Sequence, residues 1–265
     1  MIKIFGNTRR RYLVDNKFVK YLKYAIGEII LVVIGILIAL QVNNWNTDRI
    51  ERNEERKLLE QVNNEFQLND KQLLEKITRR NNELISILNI IQLIDAKQLT
   101  QNETKLDSLL GTAISVFTFD PVNGIMSQLI QAGKLSLIQN DSLNNMLSNW
   151  EGIITDYKET ENNYRDFNYN ELRPFLYEHF NYRNIINNRI LLSDISYPLI
   201  DEKYRYNNEI GNSSINMQQP DVQVIKKLEN HMAAAISHLA YLNAQSNGIH
   251  DIMNNIMELI NLELN

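Results

Sequence analysis

From Ile29 to Leu40 no polar side chain interrupts the chain. With its flanks the apolar run reaches from about Tyr24 to Trp45, roughly 33 Å as an α-helix at 1.5 Å per residue. A hydrocarbon core is about 30 Å thick, so residues 24–45 are expected to form a transmembrane helix. Beyond it the pattern changes to helical spacing. Leu59, Val62, Phe66, Leu73, Ile77, Leu84, Leu88 and Ile91 recur every three or four residues, interrupted by the polar Asn69 and Arg80. Neither glycine nor proline occurs between Gly35 and Gly111, so one helix is predicted from Asn46 to about Asp95. Gln98 to Glu103 reads as a turn, and Leu106 to Phe117 as a second, shorter helix.

Phe119-Asp120-Pro121 reads as a helix start, with Asp120 as cap and Pro121 at the first helical position. That helix should end at Ala132, with Gly133 just past its end. After an extended or turn-like stretch, Lys134 to Gln139, Asn140 or Asp141 caps another helix. Its stripe is Leu143, Leu147, Trp150, Ile154, Tyr157, Tyr164 and Phe167, and Pro174 is expected to end or kink it. Between Asn181 and Pro220 periodicity is lost, so the segment reads as functional, partly helical or mobile; Tyr197, Pro198, Tyr204 and Tyr206 either form a contact surface or belong to a long surface connection laid on the bundle. The last segment has the cleanest pattern: Ile225, Leu228, Met232, Ala235, Leu239, Leu242, Ser246, Ile249, Met253, Ile256 and Ile260. This is a heptad seam with one polar position, Ser246, and with Gly248 beside it as a place to bend.

The expected fold is all-α: one N-terminal transmembrane helix followed by an antiparallel helical bundle with long helices. Residues 1–23 form a short basic tail, 24–45 the span, and 46–265 the bundle, with an irregular segment at about 181–220.

Charge sets the expected orientation. Lys3, Arg9, Arg10, Arg11, Lys17, Lys20 and Lys23 face one acid, Asp15, before the span. After it, Arg49, Arg52, Arg56 and Lys57 alternate with Asp48, Glu51, Glu54 and Glu55. The positive-inside rule therefore favours a cytoplasmic N-terminus and a periplasmic C-terminal region. Phe5, Tyr12, Leu13, Phe18 and Val19 among the basic residues suit a helix lying on an anionic leaflet. Residues 40–45 lack a small-x-small cleavage pattern, which favours a signal anchor over a removed signal peptide. Tyr21, Tyr24 and Trp45 bracket the run as interface anchors. Gly27, Gly35 and Ala39 share one helical face, which either permits close helix association or merely reflects the frequency of small residues in spans. Glu28 is an acid one turn inside the cytoplasmic boundary. It either snorkels towards headgroup water, Lys20 or Lys23, or serves partner contact or proton handling.

Candidate chemistry changes this picture little. The net charge of −5 is mild and says nothing of nucleic acid; no nucleic-acid partner is expected, because no basic stripe interleaved with aromatics occurs outside the membrane-proximal tail. Without cysteine there is no disulfide, thiol nucleophile or thiolate metal site. His231 and His238 lie two turns apart, about 10 Å along a helix, too far for one metal without a third group. Glu-x-x-His, His-Glu-x-x-His, Gly-x-Ser-x-Gly and phosphate-loop patterns are all missing. No catalytic residue, metal site or cofactor is expected, and the histidines read as packed or solvated.

The stretches Tyr24-Ala25-Ile26-Gly27-Glu28-Ile29, Leu31 to Gln41 and Asn43-Asn44-Trp45-Asn46 resemble the opening of an uncharacterised family of single-span membrane proteins from Bacteroidota. A second pattern follows at Phe119, Pro121, Leu129, Gly133, Leu135, Ile138 and Asn140, into the Leu143–Trp150 helix. The resemblance implies an inner-membrane protein with an exported helical region and makes Glu28 part of the span motif. It brings no activity. The expected role is a non-enzymatic membrane protein whose bundle assembles with itself or with another envelope protein. The alternatives are a ligand-sensing bundle that signals through a partner, and an ion-coupling subunit that uses Glu28.

Overall fold

The computed structural model describes residues 4–191, 210–215 and 220–265. The expected surface at Tyr197, Pro198, Tyr204 and Tyr206 lies outside these residues. The described residues are helical throughout apart from turns and short extended links: α1 (Ile4–Asp95), α2 (Glu103–Ala113), α3 (Gly124–Gln131), α4 (Asp141–Phe167), α5 (Arg173–His179), α6 (Tyr182–Leu191) and α7 (Val222–Leu264). The chain divides into two compact units, Met1–Leu58 and Leu59–Asn265.

In the first unit the residues of α1 from Ile26 to Val42 stand exposed, with Leu31 72% accessible. Among the described residues this is the one helix long and apolar enough to cross a membrane.

The second unit is built on α4, α7 and the part of α1 after Leu58. Phe66 stacks near Trp150, Arg80 meets Tyr157, and Glu83 meets Tyr164, so α1 and α4 run parallel. Helix α7 runs antiparallel to both: Asp70 pairs with His250 and Asn81 with Asn243, while Asn140 pairs with Glu263 and Tyr164 approaches His238. The all-α expectation holds, and the pairing within the bundle is mixed. The reason is the connection between α1 and α4, which descends the length of the bundle before α4 climbs again.

The α7 seam is buried as its spacing requires, from Leu228 to Ile260, and the helix continues through Gly248. On α1 the register departs from the apolar pattern. The buried face continues Ile77, Arg80, Glu83, Ile87 and Ile90, whereas Leu84 is half-buried and Leu88 exposed. Arg80 and Glu83 hold core positions, so spacing judged from apolar residues alone slips by one.

Local details refine these expectations. Helix α2 stops at Ala113, and Ile114 and Phe119 turn into the core from an extended link. Helix α3 starts at Gly124, three residues after Pro121, and ends at Gln131, with Ala132 as its cap and Gly133 just beyond at φ +67°. The irregular segment at 181–220 begins with a helix, α6, seated by the buried Ile185 and Asn187. Pro174 neither ends nor kinks α4 directly. A π-helical turn, Asn168–Leu172, widens the helix before the proline, which has no N–H to donate and whose ring excludes a normal turn. The chain then continues helically to His179.

Candidate functional site

The span candidates are dispersed along one exposed helix. Glu28, Gly27, Gly35, Ala39, Tyr21, Tyr24 and Trp45 are all exposed. A Cβ built on Gly27 or Gly35 meets nothing within 4 Å, so neither glycine is required by the chain's own packing.

The polar chemistry gathers in the second unit, at the positions that interrupt the apolar stripes. The link between α2 and α3 descends antiparallel to α1 and is pinned to it at successive turns. Arg80 donates from Nε and Nη2 to the Phe117 carbonyl at 3.0 and 2.7 Å. Gln72 accepts from the Asp120 amide at 3.1 Å. Asn69 makes a two-way pair with Val122, donating to its carbonyl and accepting from its amide, both at 2.7 Å. Glu65 accepts from the amides of Ile125 and Met126 at 2.7 and 3.1 Å. Glu65 therefore caps α3 from another helix, placing a carboxylate at the positive end of the helix dipole. Asp120, the expected cap, turns instead to Lys158 at 2.6 Å and Thr118 at 3.0 Å.

Arg80 is the centre of this arrangement and is fully buried. Besides Phe117, its Nη1 donates to the Tyr157 hydroxyl at 2.6 Å and to Ser246 Oγ at 2.9 Å, and its Nη2 to Glu161 Oε1 at 2.5 Å. The five N–H donors of a guanidinium are thereby all engaged. Glu161 also accepts from the Phe119 amide at 2.8 Å and from Lys158 at 3.2 Å. Ser246 gives its single proton to the Leu242 carbonyl at 2.7 Å, so Tyr157 is the donor in their 2.9 Å bond. Burial pushes Tyr157 up to about 12, against the pull of Arg80, so it stays a neutral donor. Two turns further along α4, Tyr164 donates to Glu83, and burial together with that carboxylate holds Tyr164 well above the usual phenol range.

The histidines pack as rings. His238 lies 5.1 Å from Phe167, and His231 4.8 Å from Phe175, centroid to centroid. Burial lowers the His231 pKa against the attraction of Glu171. His250 joins Asp70 at 2.5 Å and Asn254 at 3.0 Å. Among the described residues no group of three metal-ligating side chains converges.

The Arg80 network can hold one packing arrangement against slippage, because the guanidinium donors meet their acceptors only in that register. Every guanidinium donor of Arg80 is engaged, so it is positioned to organise the bundle. Asn69 provides a direct check. Asn69→Leu is expected to cost about 1–3 kcal/mol by leaving both polar groups of Val122 unmatched. Hydrogen exchange should rise first in residues 117–126, and unchanged protection there would refute the pinning role.

Residues 28–157 match the model of DUF6090, described as a family of unknown function. The chain is similar to that family over these residues. No curated protein and no solved structure matches it. The DUF6090 match begins at Glu28, takes in the pins Glu65, Asn69, Gln72 and Arg80 with the link they hold, and ends at Tyr157. Glu161 and Ser246, which complete the Arg80 network, lie beyond it.

Sequence reasoning missed Glu65, Glu83, Glu161 and the function of Arg80. The signal was available in part. Asn69, Arg80 and Ser246 stand out as polar interruptions in apolar stripes, and Glu161 fills the vacant place between Tyr157 and Tyr164.

Proposed function

We propose that this chain is a non-enzymatic, single-span inner-membrane protein whose helical bundle is a scaffold for assembly in the cell envelope. Its N-terminus is cytoplasmic and the bundle periplasmic. The partners are the lipid bilayer and a second copy or another envelope protein. The observation that carries this reading is the exposed apolar segment Ile29–Leu40, whose length and composition suit a hydrocarbon core. The excess of basic residues before the span supports the orientation, as does the resemblance to the Bacteroidota family. The satisfied polar network supports a structural role for the most unusual buried residues.

The face formed by Gly27, Gly35 and Ala39 is the proposed site of helix association within the bilayer. Gly35→Leu should leave the single chain intact, because a side chain there has open space. It should reduce the yield of crosslinked assemblies in intact membranes at least fivefold, roughly 1 kcal/mol of association free energy. An unchanged crosslinking pattern would remove this face from the proposal.

A ligand-sensing reading has one observation in its favour. A cleft of about 380 Å³ lies between the α5–α6 turn and residues 213–215, lined by Tyr177, His179, Phe180, Tyr182, Ser213 and Ile215. Its volume falls in the range of small-molecule sites, about 300–1,000 Å³.

A further inference from the structure

The sequence holds two asparagine-glycine pairs, Asn123-Gly124 and Asn247-Gly248. Asparagine is among the chemically labile residues of proteins, and a following glycine exposes it most. With no Cβ in the way, the glycine nitrogen can reach the asparagine's own side-chain carbonyl carbon. All four residues are exposed, so accessibility does not separate the two pairs. Backbone restraint does. Asn247-Gly248 lies inside α7, with helical turns on both sides that hold its peptide in place. Asn123-Gly124 stands at the very start of α3.

An asparagine at the cap position ordinarily accepts from the second or third amide of its helix, which ties the side chain down. In α3 those amides belong to Ile125 and Met126, and Glu65 takes both from α1, at 2.7 and 3.1 Å. The Asn123 side chain accordingly makes no cap bond. Its backbone, at φ −133° and ψ 19°, lies outside the helix proper. Turning the 123–124 peptide towards the side chain costs one helical bond, from the Ser127 amide to the Asn123 carbonyl at 2.9 Å. The glycine side is open as well: a Cβ placed on Gly124 would meet Glu65 Oε2 at 3.9 Å and nothing nearer.

We propose that Asn123 is a site of spontaneous deamidation, with the Gly124 backbone and water as its reactants. The Gly124 nitrogen gives up its proton and bonds to Asn123 Cγ. The Cγ–Nδ2 bond breaks, and ammonia leaves carrying that proton. Water then opens the five-membered imide at either carbonyl, so the net exchange is water in and ammonia out. Opening at Cγ yields aspartate; opening at the main-chain carbonyl yields isoaspartate, in which the backbone runs through the side-chain carbon. Either product sets a new carboxylate beside that of Glu65, and the two compete for the same pair of amides. Isoaspartate also lengthens the main chain between the Val122 pins on Asn69 and the pins of Ile125 and Met126 on Glu65. The modification thereby loosens the start of α3 from α1, slowly and in one direction.

The test is to age the full chain in lipid nanodiscs in mildly alkaline buffer, then map it by mass spectrometry after digestion in acid, which halts the reaction. Asn123 should gain the mass of amide-to-acid conversion roughly tenfold faster than Asn247, which reacts only through local opening of α7. In urea the two should convert at similar rates, because their sequences offer the same chemistry. Gly124→Ala has room in the fold and should slow conversion at Asn123 roughly tenfold. In the converted fraction, hydrogen exchange of residues 122–126 should rise about fivefold. Equal rates at the two pairs in the folded chain, undiminished conversion in Gly124→Ala, or unchanged protection of residues 122–126 after conversion would overturn the proposal.

Discussion

Replacing Arg80 with methionine is expected to destabilise the bundle by about 3–5 kcal/mol, a lowering of Tm of about 6–20 °C for a domain of this size. The aliphatic stem is conserved in volume, so the loss is polar. Methionine leaves Glu161 buried without its cation, and it deprives the Phe117 carbonyl, the Tyr157 hydroxyl and Ser246 of a shared donor. Lys158 touches the other carboxylate oxygen at 3.2 Å, but it is partly solvated and also serves Asp120. It cannot replace a bidentate, five-donor group. Lysine at position 80 should fail almost as badly, because an ammonium cannot reach acceptors on three sides. The double variant Arg80→Met with Glu161→Gln should be less damaged than Arg80→Met alone. The amide keeps an acceptor for Phe119 while removing the uncompensated charge. Chemical denaturation of the three proteins measures this directly. A loss under about 1 kcal/mol for Arg80→Met would mean that water or the neighbouring side chains replace the guanidinium, and that the network does not organise the bundle.

The second large effect concerns the span. Val33→Arg combined with Ile36→Arg places two guanidinium groups near the middle of the apolar run, at roughly 2.5–3.5 kcal/mol each on insertion scales. Carbonate extraction should leave the unmodified chain in the membrane pellet. Most of the doubly substituted chain should leave the pellet or be degraded. A version lacking residues 24–45 should appear in the supernatant. An unmodified chain that extracts freely would remove the membrane from this picture, and the exposed apolar residues would then need a protein covering.

Much of the fold was legible in the sequence because helical burial writes itself as spacing. The α7 seam from Leu228 to Ile260 is buried at the positions that its pattern marks, and Asn140 caps α4 through the Leu143 amide. What escaped was whatever depends on partners distant in sequence. Pro121 looks like a helix start because Asp-Pro is a good local cap, yet α3 begins later because Glu65 supplies its cap from α1. Pro174 looks like a stop, but the preceding π turn absorbs it and aims Arg173 at the carbonyl of Ile114. The parallel arrangement of α1 and α4 follows from the descending link, whose pins are polar residues that interrupt an apolar stripe. Arg80 was visible as an anomaly; its meaning required Tyr157, Glu161 and Ser246, which lie 77 or more residues away. The span residues pose the reverse case. Their pattern is plain, while Glu28 and the glycine face stand exposed, and no contact among the described residues defines a role for them.

The measurement that bears most directly on the proposed topology uses the absence of cysteine from the chain. Single cysteines at Lys20 and Asp166, both exposed, would report on opposite ends of the span without background. With the outer membrane permeabilised and the inner membrane intact, a membrane-impermeant maleimide should label Asp166→Cys. Lys20→Cys should react only after lysis. Labelling of Lys20→Cys in intact cells, or protection of Asp166→Cys until lysis, would contradict a cytoplasmic N-terminus and a periplasmic bundle.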